Sequence, residues 1–166
     1  RYSMQRRVLD ALRRASSVLF VCKGNICRSP FAEFYMRRLL PHFNVSSAGV
    51  LPASGRASPS AAIQAAEERN IDLSQHRSRV LTEEEVRSYD VIFVFDVDQF
   101  QTLSRIARSQ KPAGALFFLG SLETRGQLEI ADPFGRDVRT FEATYDRIAR
   151  LIDRAAAAVN DTSNKQ

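Results

Sequence analysis

A thiol and a guanidinium set a fixed distance apart are the first residues in this chain that could do chemistry. Cys22 and Arg28 bracket the run Cys22-Lys23-Gly24-Asn25-Ile26-Cys27-Arg28-Ser29-Pro30. A thiolate is a strong nucleophile and a guanidinium grips two oxygens of one phosphate, so the pair suits attack on a phosphoryl group. In a chain with 21 arginines the spacing alone is a weak signal, and its context gives it weight. The run lies directly behind an apolar strand-like stretch and opens a helical pattern, which is where α/β sheets bind anions. Gly24 is expected to make a tight turn, so that the amides from Lys23 to Arg28 converge on one oxyanion. That cradle and the helix dipole favour the Cys22 thiolate. The plainer reading, a buried cysteine at a strand end, leaves the glycine, the arginine and the Ser29-Pro30 helix start unexplained.

Elements must hold that run in place. Apolar stretches at 18–22, 44–48, 91–95 and 115–118 read as strands, and their unbroken hydrophobicity predicts a parallel sheet covered on both faces. Helical patterns lie between them. One spans 29–40, with Ser29 as cap and Pro30 at the first position, and stops at Pro41; another, over 58–70, repeats the Ser-Pro start. Thr82 and Glu85 have capping-box spacing, and 97–109 and 138–159 complete the set. The expected fold is α/β: a four-stranded parallel sheet, doubly wound into three α/β/α layers, with the phosphate loop at the carboxyl end of the first strand. The domain is expected over 18–159, followed by a frayed polar tail, 160–166. Residues 1–17 form a basic amphipathic extension, in which Met4, Val8, Leu12 and Ala15 recur at helical spacing among Arg6, Arg7, Arg13 and Arg14. Packing against its own domain is the expected use of that stripe, with a membrane or partner surface as the alternative. Met4 is a candidate native start.

Composition excludes several classes. Hydrophobic residues make up 44% and charged residues 26%, and 24 basic against 19 acidic side chains leave a net charge of +5. No apolar run is long enough for a membrane span, and two cysteines cannot build a disulfide framework, so a reducing, cytoplasmic setting is expected. The arginines are scattered, without interleaved aromatics or a nucleic-acid motif, so no nucleic-acid partner is expected. His42 and His76 are far apart, and no Cys/His/carboxylate cluster has ligand spacing, so no metal and no cofactor are expected. His42 reads as a surface residue.

At Cys22 through Glu33 the sequence closely resembles the low-molecular-weight protein tyrosine phosphatases: Cys-x5-Arg-Ser, a Gly-Asn-Ile-Cys interior and Pro-x-Ala-Glu beyond. Asp132-Pro133, Ser47-Ala48-Gly49, the stretch from Ile71 to Arg79 and Tyr89-Asp90-Val91 extend the likeness over about 18–151. The resemblance implies that Cys22 attacks phosphorus to form a cysteinyl-phosphate while Arg28 and the loop amides of Lys23, Gly24, Asn25, Ile26 and Cys27 hold the phosphoryl group. It implies that Asp132 protonates the leaving phenolate and then deprotonates the hydrolytic water. Asn25, Ser29, Ser47 and His76 match the network that shapes the loop, and Cys27 matches a second cysteine that can be oxidised onto the nucleophile. The implied partners are phosphotyrosine proteins, by analogy with bacterial members a tyrosine kinase, with inorganic phosphate as product and competitor and a monomer or weak dimer as the working state.

The chain also departs from the pattern. Phe134 supplies one wall of the substrate slot, but Gly135 follows where an aromatic is common, and around Leu51 the opposite wall is aliphatic. Lys23 either points to the rim, favouring acidic sequences around phosphotyrosine, or is merely solvated. Ile26 resembles the tyrosine-specific branch, since the phosphoarginine branch carries threonine there. A non-catalytic phosphotyrosine-binding module is the other alternative. A reductase of this fold that relays a disulfide along three cysteines lacks its parts, because no cysteine follows Cys27.

Overall fold

The apolar runs become the four strands of one sheet in a computed structural model, which describes residues 2–109 and 115–163. The order along the chain is α1 (Tyr2–Arg14), β1 (Ser17–Cys22), α2 (Arg28–Leu39), β2 (Asn44–Gly49), α3 (Ser60–Glu67), α4 (Glu83–Ser88), β3 (Val91–Val94), α5 (Val97–Ser109), β4 (Ala115–Phe118), a 3-10 turn (Leu119–Leu122) and α6 (Val138–Ser163). The sheet is parallel throughout, ordered β2-β1-β3-β4. Every residue of β1 is buried, as a central strand covered on both faces requires. Val18, Phe20 and Cys22 turn toward the core shared with α1, α2, α3 and α6, while Leu19 and Val21 join Val86 of α4 and Leu103 of α5 on the other face. This is the doubly wound arrangement expected.

The strand order reverses direction between β1 and β3, and the crevice at that point opens beyond their carboxyl ends. The loop after β1 and the first residues after β3 are therefore neighbours, although the chain separates them widely.

Several local expectations need correction. Ser29 is not the cap of α2: the helix begins at Arg28, Cys27 sits at the cap position without a side-chain bond, and the Ser29 hydroxyl is committed to the cysteine loop. Ser58 does not cap α3 either; Pro59 occupies that position and the buried Ser58 hydroxyl has no partner among the described residues. The same helix is shorter than expected, closing through a turn in which Asn70 takes the left-handed conformation (φ 55°) that asparagine tolerates. The Thr82–Glu85 capping box is present in both directions. The tail does not start at Asn160, because α6 runs on to Ser163: polar residues alone do not end a helix, and no glycine or proline interrupts 138–163. Residues 164–166 of that tail lie outside the described part.

α1 packs on the domain. Val8 and Leu12 are fully buried in the same core as Phe20 and Ile152, and the Gln5 amide donates to the Leu122 carbonyl at 2.7 Å. Among the described residues no helix is long and apolar enough to cross a membrane.

Candidate active site

The loop after β1 is built around one asparagine. Asn25 is fully buried with φ 52°, so the tight turn expected at Gly24 is made one residue later, by a residue type that tolerates the left-handed region. What Gly24 supplies is room, since a Cβ there would lie 3.3 Å from Nη1 of Arg56. Glycine is also required at the end of β2, where a Cβ on Gly49 would meet the Asn25 nitrogen and the Gly24 carbonyl carbon, each at 3.0 Å.

Every polar group of Asn25 has a partner. Its Nδ2 donates to Ser29 Oγ at 2.9 Å and to Ser47 Oγ at 2.8 Å, its Oδ1 accepts from the Arg79 amide at 3.0 Å, and its carbonyl accepts from His76 Nε2 at 2.7 Å. Because the amide donates to both hydroxyls, each hydroxyl proton is free to point onward. The Ser47 hydroxyl donates to the buried Glu33 carboxylate, which also pairs with Arg37. Ser29 lies 3.0 Å from Cys22 Sγ, and the Asn25 amide donates to the same sulfur at 3.3 Å. The donors thus converge on Cys22, an arrangement suited to a thiolate. The four residues expected to shape the loop, Asn25, Ser29, Ser47 and His76, are brought together; exposed His42 is remote from them.

Arg28 is fixed from the far side of the loop. Its side chain is 1% exposed, and Nη1 donates to Asp96 Oδ2 and to the Ile130 carbonyl, both at 2.8 Å. Nη2 lies 3.0 Å from Asp132 Oδ2, the guanidinium faces the Phe95 ring, and Nε–H has no partner among the described residues. Nη1 therefore spends both protons on protein, while the Nε–Nη2 edge keeps a buried donor without an acceptor. Burial opposes charge on Asp96, but the bond from Arg28, a second from Gln99 and the Arg28 charge outweigh it and hold that carboxyl below its usual range. Asp132 is a third exposed, and its other oxygen accepts from the Phe134 amide at 3.2 Å, which pins the Asp-Pro turn over the loop.

Beside them lies a cavity of about 240 Å³ lined by Lys23, Gly24, Ile26, Cys27, Leu51, Arg56, Asp132 and Phe134, while Arg28 and Asp96 line an adjoining one. Phe134 stands on one side, more than half exposed, and Leu51 on the other. Lys23, which the sequence left undecided, is exposed at the rim. Cys27 is buried, its carbonyl accepts from the Tyr145 hydroxyl at 3.0 Å, and burial followed by the charges of Asp132 and Cys22 pushes its thiol up to about 12. No three His, Cys, Asp or Glu side chains converge as metal ligands among the described residues.

Sequence reasoning missed Asp96, Glu33, Arg56 and Tyr145. Asp96 alone carried a usable signal, its place just past the end of a strand that borders β1.

A thiol among amide and hydroxyl donors, in the loop that follows the first strand of a parallel sheet, defines an α/β protein with a phosphate-binding loop. The family described as "Low molecular weight phosphotyrosine protein phosphatase" matches residues 17–165. The chain is 37% identical over 137 residues to "Probable low molecular weight protein-tyrosine-phosphatase EpsP" of Ralstonia nicotianae, covering 82% of this chain and 91% of that one. Among solved structures it resembles the tyrosine phosphatase Wzb from Escherichia coli K30 in complex with sulphate, with TM-score 0.78 and 32% identity over 86% of this chain and 97% of that one. It also resembles the YwlE arginine phosphatase from Geobacillus stearothermophilus, with TM-score 0.78 and 29% identity over 91% of this chain and 97% of that one. This chain belongs to the low molecular weight protein-tyrosine-phosphatase family.

Proposed function

We propose that this chain hydrolyses phosphotyrosine in proteins through a cysteinyl-phosphate. The observation that carries the reading is the Nε–Nη2 edge of Arg28, a buried cationic donor pair whose Nε–H has no acceptor among the described residues. A phosphoryl group seated in the loop would satisfy it, with the Lys23–Cys27 amides supplying further donors. The Cys22 sulfur, supported by Ser29 and the Asn25 amide, attacks phosphorus as the bond to the tyrosine oxygen breaks. Protonated Asp132 gives its proton to that oxygen, then takes one from the water that attacks the cysteinyl-phosphate, releasing inorganic phosphate and free Cys22. In the resting site Asp132 rests on Arg28, so the incoming phosphate exchanges places with the carboxylate and frees it for the leaving group. Phosphate remains a competitive ligand of the same cradle.

The proposed partners are phosphotyrosine proteins in the cytoplasm, a bacterial tyrosine kinase among them, and the working state is a monomer or weak dimer. Residues 18–159 are proposed as the phosphatase domain and 1–17 as its extension. Against phosphoarginine as the substrate stands Ile26, an apolar branched side chain in the pocket lining.

The test is aryl-phosphate and phosphotyrosine-peptide turnover. Cys22→Ser is expected to reduce it to background and Asp132→Ala to slow it by about 10²- to 10⁴-fold. Activity that survives Cys22→Ser ends the thiolate mechanism. Ile26→Thr is expected to raise phosphoarginine turnover relative to phosphotyrosine, and an unchanged ratio shows that this side chain does not set specificity.

A further inference from the structure

The mouth of the pocket carries two cations that the proposed chemistry does not use. Lys23 follows the nucleophile and is exposed at the rim, where it borders both the catalytic pocket and a neighbouring cavity of about 260 Å³. Arg56 comes from the segment after β2, and its guanidinium lies so near Gly24 that a side chain there would stand 3.3 Å from Nη1. Its backbone is anchored: the Arg56 amide donates to Ser78 Oγ at 3.0 Å, and its carbonyl accepts from the Ser78 amide at 2.8 Å. The anchored backbone keeps the base of this long cationic side chain beside the loop.

Of the carboxylates near the mouth, Asp98 stands exposed on the neighbouring cavity and the others are engaged. Asp96 and Asp132 hold Arg28, and Glu85 pairs with Arg79. Neither Lys23 nor Arg56 has a carboxylate partner among the described residues. The phosphoryl group itself belongs deeper, on the Cys22 loop and the free edge of Arg28. Two unpaired cations at the rim are thus left for a second negative charge that enters together with the phosphate.

We propose that Lys23 and Arg56 form a subsite for a carboxylate side chain flanking the phosphotyrosine, so that this enzyme selects acidic phosphotyrosine sequences. The assignment rests on the phosphatase reading above. A phosphotyrosine ring held between Phe134 and Leu51 leaves its peptide backbone at the rim, and residues beside the phosphotyrosine pass over the loop where Lys23 and Arg56 stand. Asp98 on the neighbouring cavity repels the same carboxylate and directs it toward the cationic side.

The experiment compares kcat/KM for phosphotyrosine peptides matched except for glutamate, glutamine or lysine at the two positions on each side. The wild-type enzyme is expected to prefer the glutamate over the glutamine peptide by about three- to tenfold, as exposed ion pairs allow, and to disfavour lysine. The preference should shrink in 0.5 M salt. Reading the ratio between peptides cancels any change that a variant makes to the chemical step. In Arg56→Gln and in the Lys23→Gln/Arg56→Gln double variant the ratio is expected to fall toward one, and Arg56→Lys should retain most of it. A wild-type ratio near one, or a ratio that survives the double substitution, overturns the subsite while leaving the phosphatase reading intact. No turnover of any peptide by the wild-type enzyme removes that reading, and the subsite with it.

Discussion

Cys27 is buried in the same loop as Cys22. Its thiol, pushed up to about 12 by burial and then by Asp132 and Cys22, is protonated at neutral pH, and protonated thiols do not attack sulfur. If Cys27 guards an oxidised Cys22 by closing a disulfide, it must do so through a rare thiolate whose population rises about tenfold per pH unit below 12. The fraction of activity that dithiothreitol recovers after brief peroxide exposure should therefore climb between pH 7 and 9, and should be low and flat in Cys27→Ser. Equal recovery in the two proteins at every pH would show that Cys27 guards nothing. Legibility at this scale follows chain distance. The residues from Cys22 to Ser29 are close in sequence and their types announce a phosphate loop, whereas Asp96 and Arg56 meet that loop only through the sheet register and the segment after β2. Ser29 was legible as a polar residue at a helix start, but not as a donor to the thiol. The Asn25 side-chain amide and the Cys22 sulfur lie within its reach and compete with the capping role.

At the scale of elements, the ends of the strands are where sheet and site are coupled. Gly49 closes β2 and pairs with Cys22 in register, and the loop backbone rests directly on its Cα. Gly49→Ala should force the loop outward by a few tenths of an ångström or more, costing about 1–3 kcal/mol of stability. Turnover should suffer more, by about 10- to 100-fold, because the donors around Cys22 move with the loop. Aryl-phosphate kinetics beside a thermal melt would separate the two effects, and wild-type kcat in a destabilised Gly49→Ala protein would count against the coupling. The opposite end of the sheet is clamped by Asp90, whose Oδ2 accepts from the Ser16 amide at 2.8 Å and the Ser17 amide at 3.0 Å as β1 begins. The Ser16 amide bond first, aided by the Ser17 and Ser16 hydroxyls and the Ser17 amide, outweighs desolvation and holds this carboxyl below its usual range. A folded-state value below the unfolded one means the clamp contributes stability above about pH 4 and loses it as pH falls through the folded value. Asp90→Asn should lower the urea midpoint at pH 7, and the gap to wild type should narrow as pH falls below about 4. A gap of constant size would show that the carboxylate charge is not its source.

Over the whole molecule, the family match begins at residue 17, yet the core does not. α1 inserts Val8 and Leu12, both fully buried, among residues of β1 and α6, and Gln5 ties its first turns to the 3-10 turn after β4. The apolar stripe of this segment was readable from its 3.6-residue spacing, but the surface it covers was not, because α6 shows no sequence feature that marks one face as waiting for α1. If α1 is part of the fold, Leu12→Ala opens a cavity in the shared core and should cost about 2–5 kcal/mol, a fall in melting temperature of roughly 5–15 °C for a domain of this size. Leu12 has no contact with the phosphate pocket, so kcat/KM for an aryl phosphate at 25 °C should change by less than about twofold. Arg6→Gln, on the exposed side of the same helix, is the control and should leave the melting temperature within about 1–2 °C of wild type. A Leu12→Ala protein that melts with the wild type would mean that α1 lies loosely on the domain and that its arginine-rich outer face, rather than its buried stripe, is the reason the segment is there.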